Sequence, residues 1–377
     1  MLCKSCAFRF HIVNLTMGAA AYAAALWSMS ERLLKKRHEP LTKVAIPVNA
    51  CFYKRLSIKH TPNKKLRKRE VTSEMLKEKN GVRLSNKRAA FRRDMVAWLL
   101  MVPSLVLFAF FVWGPLLETV RMSFYETKGV NLGKFVGFAN YKKLLVQPAY
   151  KIAWINTVKY TVCSLFVGLC VPVIIAALIT EVSHFRGFFR VAAYYPNVIP
   201  SIAAVMIFTF FFGTGNSGVL NILLAKIGVG PVNFLTNEKW VIFWIVVAMT
   251  WKAAGSTALV YMSSISGISP ELYEAATIDG ASPIRRFFSI TMPTILKTGK
   301  TMLILQILAV FQILYEPMLM TNGGPNNASI SIMELVYNLA FNQMKFSQAA
   351  ALSVEVCIIL IFLTVIYYAI VNSAEKD

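Results

Sequence analysis

Charged residues are scarce in this chain: Asp, Glu, Lys and Arg make up 15% of its 377 residues, whereas 56% are hydrophobic. Soluble domains contain about a quarter charged residues. The composition therefore excludes an ordinary soluble domain and is typical of a polytopic membrane protein.

Acidic residues are the scarcer charge, with 18 Asp and Glu against 40 Lys and Arg. Residues 1–94 hold 22 basic and 6 acidic residues, so this tail carries +16 of the net charge of +22. We expect a disordered basic cytoplasmic extension close to anionic membrane lipid. No recognisable nucleic-acid-binding fold accompanies the charge, so we expect no nucleic-acid partner. Residues 1–74 have a second interpretation, a start site placed too far upstream, because Met75 begins an ordinary short N-terminus.

Patterns for metal and nucleotide sites are missing from the sequence. Cys3 and Cys6 form a lone CxxC, but a tetrahedral zinc site needs a second pair of ligands at suitable spacing. A GxxxxGK[ST] phosphate loop is also absent. We therefore predict no metal site, no cofactor bound by this chain and no catalytic residue.

Apolar runs recur along the remaining chain. A membrane-spanning helix needs about 20 mostly apolar residues, and six segments approach that length: residues 95–117, 160–180, 198–212, 240–262, 301–320 and 349–371. Residues 15–27 are too short to span and are interpreted as an interfacial helix or as sequence without a role. The sequence predicts an all-α polytopic membrane protein with about six transmembrane helices.

Basic residues next to the first predicted span indicate its orientation. Arg83, Lys87, Arg88, Arg92 and Arg93 precede it, and positive charge near span ends favours the cytoplasmic side. With six spans, both termini are then expected in the cytoplasm. The loop after the first span opposes this orientation, because it is also rich in Lys and Arg.

Two helix starts of the same chemistry interrupt the apolar pattern within residues 269–300. Ser269 and Ser282 are suited to cap a helix, and each precedes a proline at the first helical position. Gly280, after Asp279, is suited to end the first helix, because glycine readily adopts the left-handed conformation. The sequence predicts a rigid knuckle of two helices around a glycine corner, whose apolar residues need a partner's groove.

Residues of this knuckle resemble the EAA loop of the integral-membrane subunits of ABC importers. The resemblance rests on Glu274-Ala275-Ala276, Asp279-Gly280-Ala281, Ile290 and Pro293, with Met292 where that family usually has Leu. Further matching motifs follow the family's order: Phe138-Ala139-Asn140-Tyr141, Asn156-Thr157, Gly218 with Asn221, and Thr321-Asn322-Gly323-Gly324-Pro325. The chain is most similar to the maltose-type and glycerol-phosphate-type permease branch, over about residues 92–371.

This resemblance implies the type I ABC importer fold with a cytoplasmic coupling-helix loop. Residues 95–152 would form the first transmembrane helix and outer loop, 153–371 the ABC transmembrane type-1 permease domain, and 372–377 a short cytoplasmic tail. The implied function is import of a carbohydrate across the plasma membrane of a prokaryote. The implied partners are a second permease subunit, an extracellular substrate-binding protein and two ATPase subunits, which would bind ATP and Mg²⁺. This chain would not itself be an enzyme. The implied ATPase-coupling residues are Glu274, Ala275, Ala276, Asp279, Gly280, Ala281, Ile290 and Pro293.

The resemblance also implies a transport path along the predicted fourth to sixth spans. Candidate residues recur at helical spacing on the fifth span, and a shallow face of the fourth span lies near an aromatic ring suited to stacking on a sugar. Ordinary helix packing, which favours small residues in lipid, explains the same pattern, and both interpretations remain open. The candidates are Trp251, Ala253, Ser256, Gln306, Ala309, Val310 and Ile313.

Two alternatives remain beside carbohydrate import. The same importer class carries other small polar solutes, such as a glycerol phosphate or a peptide. A phosphate needs compensating positive charge, and Lys252 is the only basic residue in the predicted fourth to sixth spans. From a different class, a membrane-anchored scaffold would use the basic tail as its working part, but an anchor needs neither six spans nor a knuckle.

Overall fold

The computed structural model describes residue 95 and residues 98–129, 131–182, 184–215 and 218–374. The basic tail, the CxxC pair, residues 15–27 and the start at Met75, on which predictions were made, lie outside the described residues. Of the described residues, those up to Gly114 belong to one compact unit and those from Pro115 onward belong to a second.

Helices dominate the described chain. In chain order they are α1 (Trp98–Ser123), α2 (Ala139–Leu145), α3 (Pro148–Glu181), α4 (Arg186–Val198), α5 (Ser201–Phe211), α6 (Val219–Lys226), α7 (Val241–Ser266), α8 (Pro270–Ile278), α9 (Pro283–Phe311), α10 (Tyr315–Met320), α11 (Ile332–Tyr337) and α12 (Phe346–Ala374). Two short antiparallel strands, β1 (Tyr125–Lys128) and β2 (Asn131–Phe135), form a hairpin between α1 and α2.

The prediction of about six transmembrane helices is confirmed. Five of the described helices, α1, α3, α7, α9 and α12, are long and apolar enough to cross a membrane. Helices α4 and α5 meet at an angle of 96° and provide a sixth crossing if they are counted as one broken span. Pro200 lies at this bend in an extended conformation, and its missing N–H would leave a gap in a continuous helix.

The second span begins earlier than predicted, at Pro148 rather than at residue 160. Its first turns contain polar residues, which the criterion of about 20 mostly apolar residues excluded from the predicted span. Asn156 and Thr157 are nevertheless buried, because the Asn156 amide donates to the Asn327 carbonyl oxygen at 2.8 Å and Thr157 Oγ1 accepts from the Ile332 N–H at 3.0 Å. Hydrogen bonds from a distant segment therefore make a longer helix possible.

The fifth span differs from the prediction at both ends. Helix α9 begins at Pro283, so the second helix of the knuckle continues into the membrane, and it ends at Phe311 rather than at residue 320. In an uninterrupted helix, Pro317 could not donate to the Ile313 carbonyl. That carbonyl instead accepts the Ser331 hydroxyl at 2.7 Å, and α10 starts after the break.

Close contacts between helices depend on glycine in the larger unit. Helix α7 packs against α3 and also against α4, where an ideal Cβ on Gly255 would lie 1.8 Å from the Ala193 carbonyl oxygen. Helix α9 packs against α3 at Gly168, where an ideal Cβ would lie 2.7 Å from Gln306 Nε2. Small residues at such crossings allow the close packing that holds membrane helices together.

Candidate functional site

The first half of the knuckle, α8, begins and ends where the sequence predicted. Ser269 is extended and precedes Pro270 at the first helical position, although the Ser269 hydroxyl makes no capping hydrogen bond in the described structure. Gly280 has a φ of +74°. The Gly280 N–H donates to the Thr277 carbonyl at 3.1 Å and the Ala281 N–H to the Ala276 carbonyl at 2.9 Å. These two bonds form a Schellman motif, which satisfies the last carbonyls of the helix.

The second half of the knuckle is the start of α9. Ser282 Oγ accepts from the Arg285 N–H at 3.3 Å, and Pro283 takes the first helical position. A π-turn at Phe287–Thr291 precedes Pro293. This local widening accommodates a proline inside a continuous helix, because an i to i−5 bond bypasses the missing donor.

Side chains that the sequence did not single out fix the two halves together. The Tyr273 and Thr291 hydroxyls share a hydrogen bond of 2.8 Å, and Arg286 Nη1 donates to Thr277 Oγ1 at 2.7 Å. Both bonds join α8 to α9 across the glycine corner. Local sequence spacing carries no signal for these pairs, because each requires the folded corner to bring its partners together.

The outer surface of the knuckle exposes both polar and apolar side chains. Glu274 and Ala275 are exposed, and no described residue forms a hydrogen bond or ion pair with the Glu274 carboxylate. Ile278 is 87% exposed and Ile284 72% exposed. These two isoleucines, here called the apolar rim, and a free carboxylate on the same rigid support are suited to docking in the groove of another protein. Of the remaining predicted coupling residues, Asp279, Gly280 and Pro293 are exposed, whereas Ala276, Ala281 and Ile290 are partly buried.

The path candidates on α7 are at least partly accessible but do not share one face, because Trp251 and Ala253 are two residues apart on the helix. Trp251 is exposed and meets the Phe208 ring edge-to-face, with centroids 5.2 Å apart. Ala253 is exposed, and the Ser256 hydroxyl donates to the Ala253 carbonyl of its own helix at 2.8 Å. The structure therefore brings these three candidates to one stretch of α7.

The candidates on and after α9 do not share one accessible face. Ala309 is exposed, whereas Val310 and Ile313 are buried in a cluster with Ile245 of α7. The Gln306 amide is occupied, because Nε2 donates to Ser164 Oγ of α3 at 2.6 Å.

A polar cluster at the two helix breaks was not predicted as part of the site. Lys252 Nζ of α7 donates to Ser201 Oγ, at the start of α5, at 2.8 Å. Burial raises the pKa of Glu316, in the first turn of α10, and the positive charge of Lys252 opposes that shift. The sequence did not predict where the chain breaks between α4 and α5 and between α9 and α10. These two breaks bring Ser201 and Glu316 to the same region as Lys252.

Two of the sequence motifs meet in a compact polar loop. Residues 321–331, the polar knot, are linked to α3 through Asn156 and Tyr160, whose hydroxyl donates to the Ser329 carbonyl at 2.9 Å. Within the knot, Ser329 Oγ donates to the Gly324 carbonyl at 2.7 Å. The two motifs that match the family, Asn156-Thr157 and residues 321–325, are therefore joined in one structural unit.

A cavity of about 430 Å³ opens beside the polar knot. Its lining comes from the end of α5, the segments that follow it and the knot, and contains none of the predicted path residues. The lining residues are Thr209, Phe212, Gly213, Thr214, Leu235, Thr236, Met320, Thr321, Gly324 and Pro325.

Glu355, an ionisable residue inside the last span, has a partner. The Tyr150 hydroxyl of α3 donates to Glu355 Oε1, and one turn earlier Gln147 Nε2 donates to Gln348 Oε1 at 3.0 Å. These bonds join the start of α3 to α12. The carboxylate thus has a structural role that its sequence position alone did not indicate.

Several known proteins are similar to this chain in sequence. Residues 168–376 match the family described as binding-protein-dependent transport system inner membrane component. The sn-glycerol-3-phosphate transport system permease protein UgpA of Salmonella typhimurium is 30% identical over 78% of this chain and 99% of its own length. The arabinooligosaccharides transport system permease protein AraP of Bacillus subtilis is 29% identical over 72% of this chain and 88% of its own length.

A solved structure shows the same fold. A chain of the bacterial alginate ABC transporter, in complex with an alginate pentasaccharide-bound periplasmic protein, superposes with a TM-score of 0.64 at 24% sequence identity. The match covers 73% of the present chain and 93% of that chain.

Proposed function

Because the chain belongs to the family of binding-protein-dependent transport system inner membrane components, we propose that it is the permease subunit of an ATP-driven importer for a carbohydrate. It is a multi-pass membrane protein, and the permease family to which it belongs is not one of enzymes. A second, different permease subunit would complete the path, and an extracellular binding protein would deliver the sugar.

The knuckle is the observation that supports coupling to an ATPase. The Schellman motif at Gly280 and the cap at Ser282 hold two short helices at a fixed corner. The Tyr273–Thr291 and Arg286–Thr277 bonds transmit any displacement of α8 to α9. A partner that grips Glu274 and the apolar rim would therefore move the start of a membrane-spanning helix.

Each predicted coupling residue has a proposed part in this movement. Glu274 would make a polar contact with the ATPase, and Ala275 and Ala276 keep α8 slim enough to enter its groove. Asp279, Gly280 and Ala281 form the corner, while Ile290 lies in the π-turn through which α9 continues and Pro293 follows that turn. ATP and Mg²⁺ would be bound by two copies of the partner ATPase, since this chain contains no phosphate loop.

We propose that both termini and the knuckle face the cytoplasm. In that orientation the polar knot and the cavity beside it face the outside.

The transport path would run along α7, α9 and α12, with Trp251, Ala253 and Ala309 as its accessible residues. The other four candidates would contribute to the path through helix packing: the partly buried Ser256 and Gln306 and the buried Val310 and Ile313.

The proposed solute is a neutral sugar or oligosaccharide. Lys252 is the only basic residue in the predicted fourth to sixth spans, and it is already engaged by Ser201 and lies close enough to Glu316 to affect its pKa. Helix α9 also carries Arg285, Arg286, Lys297 and Lys300, but all four precede residue 301, in the part of α9 next to the knuckle. Farther along the path, little positive charge is left to compensate a phosphate. Glycerol phosphate, named for one relative, is the second candidate, and a peptide is the third.

Uptake by the reconstituted importer tests the proposal. The complex that copurifies with the full chain would be placed in liposomes loaded with ATP and Mg²⁺. Radiolabelled arabino-oligosaccharides, sn-glycerol 3-phosphate and a tripeptide would be offered with the copurifying binding protein. ATP-dependent accumulation of the oligosaccharide alone is expected. Accumulation of glycerol phosphate or peptide in its place contradicts the substrate proposal, and no ATP-dependent uptake of any probe contradicts the importer.

A further inference from the structure

Glu334, in the first turn of α11, is a completely buried carboxyl group. Its side chain is 0% exposed, and neither carboxyl oxygen forms a hydrogen bond with a described residue. Oε1 lies against the polar knot, since an ideal Cβ on Gly323 would be 3.0 Å from it. An ionised carboxylate in such surroundings costs far more free energy than a neutral carboxyl group.

The position of Glu334 has a second interpretation as half of a capping box. Ser331 caps α11, and its Oγ accepts from the Glu334 N–H at 3.1 Å. In a complete capping box, the charged Glu334 side chain would accept from the Ser331 N–H in return. That N–H lowers the pKa of Glu334, but the bond does not reach hydrogen-bond geometry in the described structure.

No cation among the described residues compensates a negative charge on Glu334. Helices α3, α10 and α12 pack against α11. Among the ionisable groups of these helices, Tyr160 is bonded to the Ser329 carbonyl, Glu355 is bonded to Tyr150, and Glu316 lies close enough to Lys252 for that charge to lower its pKa. The two lysines of α3, Lys151 and Lys159, are exposed. Burial raises the pKa of Glu334 to about 7, and no charged side chain contributes to that value.

We propose that Glu334 is a proton-binding site, and that a proton on this carboxyl group stabilises the described packing of the polar knot. Opening of the knot would hydrate Glu334 and release the proton, so the two events are linked. The proposal goes beyond carbohydrate import, because it makes the closed knot sensitive to pH on its own side of the membrane. Only the assignment of that side to the exterior rests on the proposed orientation.

The direction of the pH effect follows from linkage. In an open, hydrated knot the carboxyl group would return to its ordinary pKa of 4.5, whereas the closed knot keeps the proton up to about pH 7. The closed form is therefore most stable at low pH. Its ratio to the open form should fall by roughly tenfold for each pH unit between about 5 and 7 and then level off. A charged capping box would instead hold the pKa below 4.5, so the closed form would gain stability as pH rises to about 4.5 and would keep a constant stability above it.

Hydrogen exchange of the copurified complex in lipid nanodiscs tests the proposal, because both faces then share one pH and neither transport nor orientation is needed. Protection factors of peptides covering the knot would be measured between pH 5 and 8.5, after correction for intrinsic exchange. Wild-type protection is expected to fall steeply up to about pH 7. Glu334→Gln, neutral at every pH, should give a flat profile.

Glu238→Gln is the matched control. Asn326 Nδ2 of the knot donates to the exposed Glu238 carboxylate at 2.6 Å, so this variant removes a carboxylate that touches the knot without being buried. It should keep the wild-type pH profile. Glu334→Met is the second neutral variant if Glu334→Gln does not assemble. Wild-type protection that rises with pH or is independent of it, or a neutral variant that keeps the pH dependence, overturns the proposal.

Discussion

The side-chain amide of Gln306 on α9 donates a 2.6 Å hydrogen bond to the hydroxyl of Ser164 on α3, beside Gly168. Ser164 is fully buried, so this bond joins two membrane-spanning helices away from solvent. A polar residue on a predicted transport path can therefore serve helix packing, and the two roles make different predictions.

A double-mutant cycle measures the packing role of Gln306. Gln306→Leu leaves the buried Ser164 hydroxyl without its donor, and Ser164→Ala removes the acceptor. We expect each single change to lower the unfolding free energy of the complex by about 1 kcal/mol, with most of that loss shared in the double variant. Thermal unfolding of the purified complex provides the measurement. An increased KM for the sugar at unchanged stability would instead assign the Gln306 amide to the path.

Three glycine-to-alanine substitutions should form a graded series. Gly255→Ala places a Cβ 1.8 Å from a backbone oxygen of α4, which must move the whole helix, so we expect failed assembly or a loss of more than about 3 kcal/mol. Gly168→Ala meets side-chain atoms only, Gln306 Nε2 at 2.7 Å and Ser164 Oγ at 3.1 Å. It should cost about 1 kcal/mol, through loss of the hydrogen bond between these two side chains. Gly187→Ala, with nothing within 4 Å, is the control and should be neutral or slightly stabilising. Equal unfolding midpoints for all three would contradict the close crossings.

The parts that the sequence predicted well are those decided by neighbouring residues. The ends of α8 follow from Pro270 and Gly280, and the start of α9 follows from Ser282, because caps and left-handed glycine act within one turn. The bonds of Arg286 and Tyr273 across the corner were not predictable in this way, since they depend on how the two helices meet.

Long-range contacts explain what the sequence did not show. Asn156 appeared too polar for a span, yet its partner lies 171 residues later in the polar knot. Likewise, Gln306, Ala309 and Val310 share helical spacing, but their burial differs. Val310 is buried, Gln306 is partly buried and Ala309 is exposed. Periodicity identifies one face of a helix, whereas the fold decides what covers it.

A charge reversal on α8 tests the coupling surface. Glu274→Lys is expected to leave the permease in the membrane but to abolish sugar-stimulated ATP hydrolysis by the complex, because Glu274 is exposed and available to a partner. Glu271→Lys is the matched control, because Glu271 is also an exposed glutamate and lies in the first turn of the same helix. Normal stimulation in Glu274→Lys, or equal loss in both variants, would contradict a specific role for Glu274.

The corner at Gly280 should respond to backbone conformation rather than to side-chain size. Gly280 has a φ of +74° and nothing within 4 Å of an added Cβ. Asn tolerates the left-handed conformation better than other residues, whereas a β-branched residue does not. We therefore expect Gly280→Asn to keep most of the stimulated ATP hydrolysis and Gly280→Val to lose at least about tenfold, consistent with about 1–2 kcal/mol of strain. Equal activity of the two variants would show that the corner does not need this conformation.

Lys252 and Glu316 should compensate one another at the helix breaks. Removing the positive charge with Lys252→Met leaves the partly buried Glu316 without its nearest cation, and Glu316→Gln leaves Lys252 with only the Ser201 hydroxyl. Each single variant should therefore lose more stability than the double variant, because an uncompensated charge is costly where a neutral pair is tolerated. Unfolding midpoints of the four proteins at pH 7 give the coupling free energy, expected at about 1–3 kcal/mol. The exposed pair Glu118 and Arg121, 3.8 Å apart, is the control, and its cycle should give a coupling of less than about 0.5 kcal/mol. Additive losses at Lys252 and Glu316 would mean that the two charges act independently. The packing of the α4–α5 break near the α9–α10 break would then not depend on their interaction.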